Sequence, residues 1–325
     1  MRIATFNVEN LDDGPEGRNA APFEERLPIL RAQLERLRAD VLLLQEVHGQ
    51  TTDDGSRELR ALARVLDGTR YQDHHQISTT TLAGSVFAER NVVTLVPRDW
   101  MVEDTRQLRD SDMPMPRYDP LTDVPDGGVK EIGWERPLLY ARVRPPGAEP
   151  LHLINCHFKS KNPTAIVGQG PTEFMWKTAA GWAEGYFISS MKRVGAALGA
   201  RVLIDQIFEA EPLARIVLGG DLNAEPNEVP LMAIRGEVAD HGNPALNHQT
   251  MYPCAESVPK DLRFTLYHHG RKNLLDHVLV SRALIASYSG AEIHNELVRD
   301  ESVSFATDLK FPASDHAPFV ALFNL

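Results

Sequence analysis

The sequence predicts a mixed α/β protein, and two observations lead to this prediction. Short apolar runs of a strand's length alternate along the chain with stretches whose apolar residues recur at helical spacing. The chain has 325 residues, of which 42% are hydrophobic and 24% charged, as in globular proteins that bury a sizeable core. No obvious linker interrupts it, so one domain over residues 1–325 is predicted.

The first hundred residues predict five elements in order. Residues 2–8 alternate as a strand does, and residues 24–38 carry leucines in an amphipathic helical stripe. The run 41–47 has a strand's length, and 57–66 shows leucines on one side of a short helix. Residues 85–96 predict one or two strands.

The stretch 101–134 is predicted to be irregular. Prolines stand at 114, 116, 120 and 125, and Gly127 and Gly128 follow. A loop of this length in a compact domain is usually functional or disordered.

The remainder of the chain returns to regular patterns. "LLYARVR" and "LHLINCHF" predict two strands joined by the turn "PPGAEP". Residues 177–210 predict a helix whose four glycines either weaken it or mark close packing. A strand over 215–220, strand pairs near "FTLYHH" and "LLDHVLVS", and a final strand in "HAPFVALFNL" complete the prediction. Trp176, Trp182 and Tyr186 either stack on a ring of the substrate or, as we favour, belong to the core.

Charge, apolar runs and cysteine content make some classes of function and location less favoured than others. The net charge of −11 argues against a broad electrostatic grip on duplex nucleic acid, although a local basic groove remains compatible with it. No apolar run approaches the roughly 20 residues of a membrane span, and no stable membrane association is expected. The first residues lack the apolar region of a signal peptide, and Cys156 and Cys254 suggest buried thiols in a reducing compartment. A cytoplasmic location is therefore expected.

Unusual polar residues stand at the ends of strand-like runs. Six runs share this feature, and their polar residues are Asn7, Glu46, His157, Asp221 with Asn223, Asp315 with His316, and Asp276 at the beginning of its run. Each has an ordinary explanation alone, as a helix cap, a turn residue or a core histidine. The coincidence of six favours a shared site.

One chemistry uses all of these groups. Carboxylate and amide oxygens are hard ligands for Mg²⁺ or Mn²⁺. An Asp–His pair can hold or pass a proton, and His157 with Lys159 and Lys161 offers donors to a phosphate. The inventory indicates metal-assisted hydrolysis of a phosphate ester.

The same residues, in this order, resemble the endonuclease/exonuclease/phosphatase family. The matching pieces span almost the whole chain and are "TFNVEN", "LLQEV", "INCHFKSK", "GGDLNAEP", "LLDHVLVS" and "SDHAPF". The resemblance implies a four-layer αββα sandwich, with two mixed sheets packed face to face, helices outside, and the active site at the edge where strand ends converge. The segment "RNVVTLVPR" departs from the family's pattern, because Arg90 and Asn91 replace a glycine that is common there.

The resemblance also implies roles for the residues. Glu46 would be the main metal ligand, with Asn7 beside it and Asp315 holding the same or a second ion. Asp276 would orient His316, and this pair would act on the attacking water or stabilise the transition state. Asp221 is the alternative candidate for the general base. Asn223 would position water or phosphate, and His157 would bind a phosphoryl oxygen or assist the leaving group.

Three cationic residues are candidates for substrate binding. Arg136 occupies a position where the family often has an arginine, and a surface salt bridge is the alternative. Lys159 and Lys161 either bind substrate or form a solvated strand end.

Three functions remain open. The first is a Mg²⁺- or Mn²⁺-dependent nuclease acting on phosphodiester bonds of nucleic acid. The second is a phosphatase or phosphodiesterase on a small phosphorylated molecule such as an inositol phosphate or phospholipid head group, over which Arg106, Arg109 and Arg117 could close. The third, a binding module on an inactive scaffold, is disfavoured because all the strand-end groups are present.

Overall fold

The structure is a computed structural model, and it describes residues 1–14, 21–122, 128–170, 175–307 and 309–325. Within these residues, none of the helices combines the length and apolar character that crossing a bilayer would require.

Two six-stranded sheets form the centre of the molecule. Sheet I has the order β17-β18-β1-β2-β6-β5. Its strands are β1 (Arg2–Leu11), β2 (Val41–Val47), β5 (His75–Ser78), β6 (Asn91–Val96), β17 (Tyr288–Ile293) and β18 (Phe319–Phe323). The pair β1–β2 is parallel, and the other pairs in sheet I are antiparallel.

Sheet II has the order β13-β16-β12-β11-β10-β7. Its strands are β7 (Met101–Leu108), β10 (Leu138–Arg144), β11 (Leu151–His157), β12 (Ile216–Asp221), β13 (Met251–Pro253) and β16 (Asp276–Ser281). Only β11–β12 is parallel in this sheet. Three small hairpins complete the described strands: β3 (Gln50–Thr51) with β4 (Arg57–Glu58), β8 (Arg117–Tyr118) with β9 (Lys130–Glu131), and β14 (Leu266–His268) with β15 (Arg271–Asn273).

Seven α-helices are present among the described residues. They are α1 (Phe23–Leu37), α2 (Arg60–Leu66), α3 (Ala179–Ala210), α4 (Val229–Arg235), α5 (Val238–His241), α6 (Arg282–Ile285) and α7 (Glu301–Ala306). Helices α1 and α2 pack on sheet I, and α3 and α4 pack on sheet II.

Alternation along the strands produces the layers. In β2, Leu42 and Leu44 join the cluster under α1 and α2, whereas Val41 and Leu43 join the cluster between the sheets. In β12, Leu218 faces α3 and Val217 faces sheet I. Because successive side chains point to opposite faces, both faces of each central strand are buried. The predicted αββα sandwich is confirmed.

The prediction that 101–134 is irregular is wrong for its first part. Residues 101–108 form β7, the edge strand of sheet II, paired with β10. Five of its eight side chains are polar or charged and none is fully buried, as is common for an edge strand, so the hydrophobic pattern of a buried strand is missing. Residues 123–127 of the stretch lie outside the described residues.

Helix α3 also corrects an expectation. Trp182 and Tyr186 are 47% and 39% exposed, so they are not core residues. The helix instead buries small residues where other segments approach closely. A Cβ on Gly185 would lie 2.6 Å from the carbonyl oxygen of Thr164, and one on Gly199 would lie 2.9 Å from the Trp134 ring. The glycines therefore mark close packing.

Candidate functional site

Strand register brings the predicted residues to one edge of the sandwich. In sheet I, Asn7 lies opposite Gln45, the neighbour of Glu46. In sheet II, Asp221 lies between His157 on β11 and Asp276 on β16. The side-chain contacts described below join residues of the two sheets at this edge.

The two glycines before Asp221 allow this approach. Gly220 has φ +147°, and a Cβ there would lie 1.9 Å from the Cys156 carbonyl oxygen. A Cβ on Gly219 would lie 2.7 Å from Cδ1 of Leu43, on the facing sheet. The "GGD" sequence is thus required by the close packing of backbone and sheets around the site.

Irregular backbone directs several side chains into the site. The register of β2 shifts between Leu44 and Val47, and Glu46 within this bulge has φ +62°. Its Oε2 accepts a hydrogen bond from the Asn10 amide at 3.0 Å. Asn223 has φ +48°, and its backbone amide nitrogen donates to Oδ1 of Asp221 at 2.9 Å. Left-handed non-glycine residues are costly, and they cluster at functional sites.

Asp221 is the centre of the arrangement and is only 2% exposed. Its Oδ2 accepts hydrogen bonds from Nδ2 of Asn7 at 3.0 Å and from Nδ2 of Asn223 at 3.1 Å. Burial raises the pKa of Asp221 to about 7, with Asp276 adding to the rise and His316 opposing it. The carboxyl group is therefore poised to exchange a proton near neutral pH.

His316 and Asp276 form a buried pair. Nδ1 of His316 lies 2.7 Å from Oδ2 of Asp276, and Nε2 lies 3.9 Å from Oδ2 of Asp221. Burial alone would lower the pKa of His316, but the charges of Asp276 and Asp221 outweigh it and hold that pKa well above its usual value. Ser314 fastens this turn to β1 by donating to the Asn7 carbonyl at 2.8 Å. The two neighbouring carboxylates therefore favour the protonated form of the imidazole.

His157 differs from His316 in charge. Its Nε2 lies 3.5 Å from Oε1 of Glu46 and 3.6 Å from Oδ2 of Asp221. Burial, together with the charges of Arg136 and Arg90, holds its pKa well below the usual value. This shift favours the neutral form of the His157 ring, which lies between the two carboxylates.

A second acidic group includes Glu9, which the sequence reasoning missed. Oε2 of Glu9 accepts a hydrogen bond from the Asp315 amide at 3.2 Å. Burial raises the pKa of Asp315 to about 6, and the charge of Glu46 adds to the rise. Burial and the charge of Asp315 raise the pKa of Glu9 in the same way. Glu9 has φ +49° and lies where the register of β1 shifts, so the two-residue period of a regular strand could not have indicated it.

The predicted substrate-binding cations have different surroundings. Arg136 is largely buried and donates from Nη1 to the Phe158 carbonyl at 3.2 Å. Burial lowers the pKa of Lys159 to about 8, with Glu135 opposing the shift and Arg136 reinforcing it. Lys161 instead forms an ion pair with Glu228 at 2.9 Å.

The arginines expected to close over a small ligand are not gathered at the site. Arg106 lies over the Tyr140 ring at 4.6 Å, and Nη2 of Arg109 donates to the Thr80 carbonyl at 2.6 Å. Arg117 is exposed on the small hairpin β8–β9.

Comparison with known proteins identifies the family. The model of the endonuclease/exonuclease/phosphatase family matches residues 4–316. The chain belongs to the endonuclease/exonuclease/phosphatase family. The resemblance inferred from the strand-end motifs is confirmed, and at family level the chain is a metal-dependent phosphoesterase. The comparison with curated proteins found no match.

Solved structures of the endonuclease/exonuclease/phosphatase family share the fold at low identity. A Bacteroides vulgatus endonuclease/exonuclease/phosphatase has 15% identity and a TM-score of 0.59, covering 100% of this chain and 98% of that one. A Neisseria 3' phosphatase bound to a product DNA hairpin has 15% identity and a TM-score of 0.55, with 100% of both chains covered. A mannosyl-6-phosphatase from Bacteroides thetaiotaomicron has 14% identity and a TM-score of 0.59, again with 100% of both covered.

Two groups of this family member could hold a cation. Single ligand atoms of Asp221, Asp276 and His316 lie within 4.8 Å of one another. Hydrogen bonds inside that group already engage Oδ2 of Asp276 and Nδ1 of His316. In the second group, of Glu9, Glu46 and Asp315, Oδ1 of Asp315 is buried with no hydrogen-bond partner among the described residues. Oδ1 of Asp276 in the first group is buried without a hydrogen-bond partner among the described residues as well, so both groups keep an acceptor that a hard divalent ion could use.

Proposed function

We propose that this protein hydrolyses phosphodiester bonds of nucleic acid, with Asp221 as the general base. The observation that carries the proposal is the buried Asp221 carboxyl group beside the His316–Asp276 pair, with Oδ2 of Asp221 3.9 Å from Nε2 of His316. A base whose pKa lies near 7 is ionised often enough to act and basic enough to accept a proton from water.

His316 takes the role of a cationic donor in this proposal. The Asp276 carboxylate at 2.7 Å keeps the imidazole protonated and fixes which nitrogen faces the site. A positive donor beside the phosphate stabilises the charge that develops during displacement. This charge favours Asp221 over His316 as the proposed base, since a protonated ring cannot accept the proton of water.

The metal ligands that we propose are Glu46 and Asp315, with Glu9 added and Asn7 nearby. Burial and the charges of neighbouring carboxylates raise the pKa values of Asp315 and Glu9, and Arg26 and His316 offset this only in part, so further positive charge would stabilise both carboxylates. A bound Mg²⁺ or Mn²⁺ would supply that charge and would polarise a phosphoryl oxygen. Asn7 also donates to Asp221, which connects the ligand group to the base.

We assign the contacts with the substrate to the residues around His157. Arg136 and Lys159 place positive charge near His157, whose pKa both of them lower. Neutral His157 then offers a hydrogen bond to a phosphoryl oxygen or to the leaving group, and Asn223 helps to position the attacking water. Lys161, held by Glu228, is the weakest member of the predicted set.

A small phosphorylated molecule is the second candidate substrate. Two cations are already bound within the protein, because Lys161 pairs with Glu228 and Arg109 donates to the Thr80 carbonyl. Few cations are then left to contact the phosphates of a long nucleic acid. The acidic net charge of −11 points the same way.

The deciding experiment compares two substrate classes. Wild-type protein, E46Q, D221N and the surface control D240N are assayed on plasmid, oligonucleotides and a panel of phosphate monoesters, with Mg²⁺, Mn²⁺ or EDTA. We expect cleavage of nucleic acid by the wild type and D240N, and loss of about 10²-fold or more in D221N. Release of phosphate from monoesters without cutting of polynucleotide would establish the second candidate. Activity of E46Q equal to that of the wild type would refute the site.

We also propose a cytoplasmic location, on the ground that Cys156 and Cys254 are both free thiols. Measurement of the location of the tagged protein in intact cells tests this.

A further inference from the structure

Arg90 occupies a position from which a side chain can reach the substrate. It immediately precedes β6, whose first residue, Asn91, lies opposite Val47 at the end of β2. Glu46 is the residue before Val47, so Arg90 stands beside the strand end that supplies the proposed metal ligand.

The backbone at Arg90 is strained and is firmly held. Its φ is +58°, a left-handed conformation that costs a residue with a Cβ atom about 1 kcal/mol or more. The Asn91 side chain fixes the turn, because Nδ2 donates to the carbonyls of Val47 and Phe87 and Oδ1 accepts from the Phe87 amide. The backbone amide of Gly49 also donates a hydrogen bond to the Ala88 carbonyl at 3.1 Å. These hydrogen bonds therefore hold the backbone of the turn in place, and the Arg90 side chain extends from it into solvent.

The guanidinium of Arg90 is exposed and uncommitted. Among the residues that the structure describes, no acceptor forms a hydrogen bond or ion pair with it. Its charge nevertheless acts on the site, since it helps to lower the pKa of His157 and of Arg136. Arg136 already has an ion-pair partner in Glu135 at 3.8 Å, so the guanidinium of Arg90 is the one left to bind an anion of the substrate.

We propose that Arg90 is a specificity-determining residue whose guanidinium binds a second phosphate charge of the substrate, beside the site of His157 and Arg136. The proposal rests on the phosphoesterase function proposed above and deepens it. The second charge belongs either to a terminal, dianionic phosphate or to a neighbouring phosphate of the same chain. A planar guanidinium with several donors suits both, because it can bind phosphate oxygens in pairs.

The test compares R90Q, R90G and the control R282Q on three substrates. Bis(p-nitrophenyl) phosphate has one negative charge, p-nitrophenyl phosphate has two on one phosphorus, and an oligonucleotide has neighbouring phosphates. Arg282 is an exposed arginine at the far end of β16 from Asp276. R90G keeps the fold testable, because glycine adopts the left-handed conformation without strain.

We expect R90Q and R90G to lower kcat/KM about 10- to 100-fold on a multiply charged substrate, and by a clearly smaller factor on the singly charged diester. R282Q should match the wild type on all three. The larger loss on the monoester or on the oligonucleotide identifies which phosphate Arg90 binds. Equal losses on all three substrates, or none, would overturn the proposal.

A binding measurement separates this proposal from the proposed function. Inorganic phosphate should raise the Tm of the wild type and of R282Q more than that of R90Q. If the wild type hydrolyses no ester but this difference is present, Arg90 is an anion-binding residue and only the phosphoesterase function fails. If hydrolysis occurs and the difference is absent, the role of Arg90 is refuted while the function stands.

Discussion

The Asp221 carboxyl group experiences opposite requirements from folding and from catalysis. Burial and the nearby Asp276 make its ionised form unfavourable, whereas a general base has to be ionised. Hydrogen bonds from Asn7 and Asn223 and the cation at His316 reduce the conflict without removing it. The ionised carboxylate of Asp221 therefore destabilises the folded protein.

D221N is expected to stabilise the metal-free protein in a pH-dependent way. The folded-state pKa of Asp221, about 7, exceeds its ordinary value of 3.8, so ionisation costs the folded protein more than the unfolded chain. The gain in the free energy of unfolding should be small near pH 4, rise up to about pH 7 and stay constant above it. Urea unfolding in EDTA at several pH values measures it.

D240N is the matched control, because Asp240 is exposed and its replacement removes the same charge from the chain. It should show no comparable rise with pH. A D221N variant that is less stable than the wild type at pH 8 would mean that the carboxylate is mainly a structural acceptor for Asn7 and Asn223.

At the scale of single elements, β12 shows how a strand is adapted to a site. Gly220 has almost the same φ as Gly290 of β17, +147° against +146°, but only Gly220 is closely surrounded. G220A should cost about 3 kcal/mol or more, because its Cβ would meet the Cys156 backbone. G290A has the same backbone strain in open space and should cost about 1 kcal/mol. Denaturant midpoints of the two variants give the comparison, and equal midpoints would show that packing at Gly220 is unimportant.

Helix α3 anchors the segment that leads to Arg136. The Glu184 carboxylate accepts hydrogen bonds from the Tyr118 hydroxyl at 2.8 Å, the Thr122 amide at 2.8 Å, the Leu121 amide and the Thr122 hydroxyl. In E184Q the side-chain NH2 group, itself a donor, would face amide and hydroxyl donors that the carboxylate now accepts from. We expect trypsin to cut after Arg117 about tenfold faster in native E184Q than in the wild type. E209Q, an exposed change on the same helix, should leave the rate unchanged, and a similar rate in E184Q would contradict the anchoring role.

These elements also show what the sequence could and could not predict. Apolar periodicity predicted β1, α1 and β2 because each buries a continuous face. It also predicted α3, although Phe187 and Leu198 of the apolar stripe are 50% and 52% exposed and small residues form much of the buried face. It failed at β7, whose exposed edge position removes the apolar pattern, and the prolines at 114 and 116 strengthened the wrong interpretation. Strand-end residues were predictable because register alone brings them together. Glu9, Glu184 and Arg90 were not, since their importance depends on bulges, a docked segment and a strained turn.

At the scale of the whole molecule, the site depends on the alignment of two sheets. Sheet I contributes Glu46, and sheet II contributes Asp221. Apolar contacts between the sheets are not directional and would tolerate a small slide. A buried hydrogen bond between Gln45, next to Glu46, and Asn155, two residues before His157, is directional: Nε2 of Gln45 lies 2.7 Å from Oδ1 of Asn155.

The Asn155 side chain reaches further across the interface. Its Nδ2 donates to the Val93 carbonyl at 3.0 Å in β6, and Nε2 of Gln45 also contacts Oγ1 of Thr5 at 3.1 Å. Because all of these groups are buried, removing one leaves partners unsatisfied. The network therefore fixes the position of one sheet relative to the other directly beneath the site.

We expect N155L to lower the free energy of unfolding by about 2–4 kcal/mol and to lower kcat more than KM changes, because a shift of the sheets separates the residues that act together. V217A is the control, since it removes apolar contacts between the same sheets at a comparable cost and leaves the polar network intact. Assayed where both variants are fully folded, V217A should keep its kcat. If N155L keeps it as well, the alignment of the sheets is set by packing alone. A double-mutant cycle with Q45L then measures how strongly the two amides are coupled.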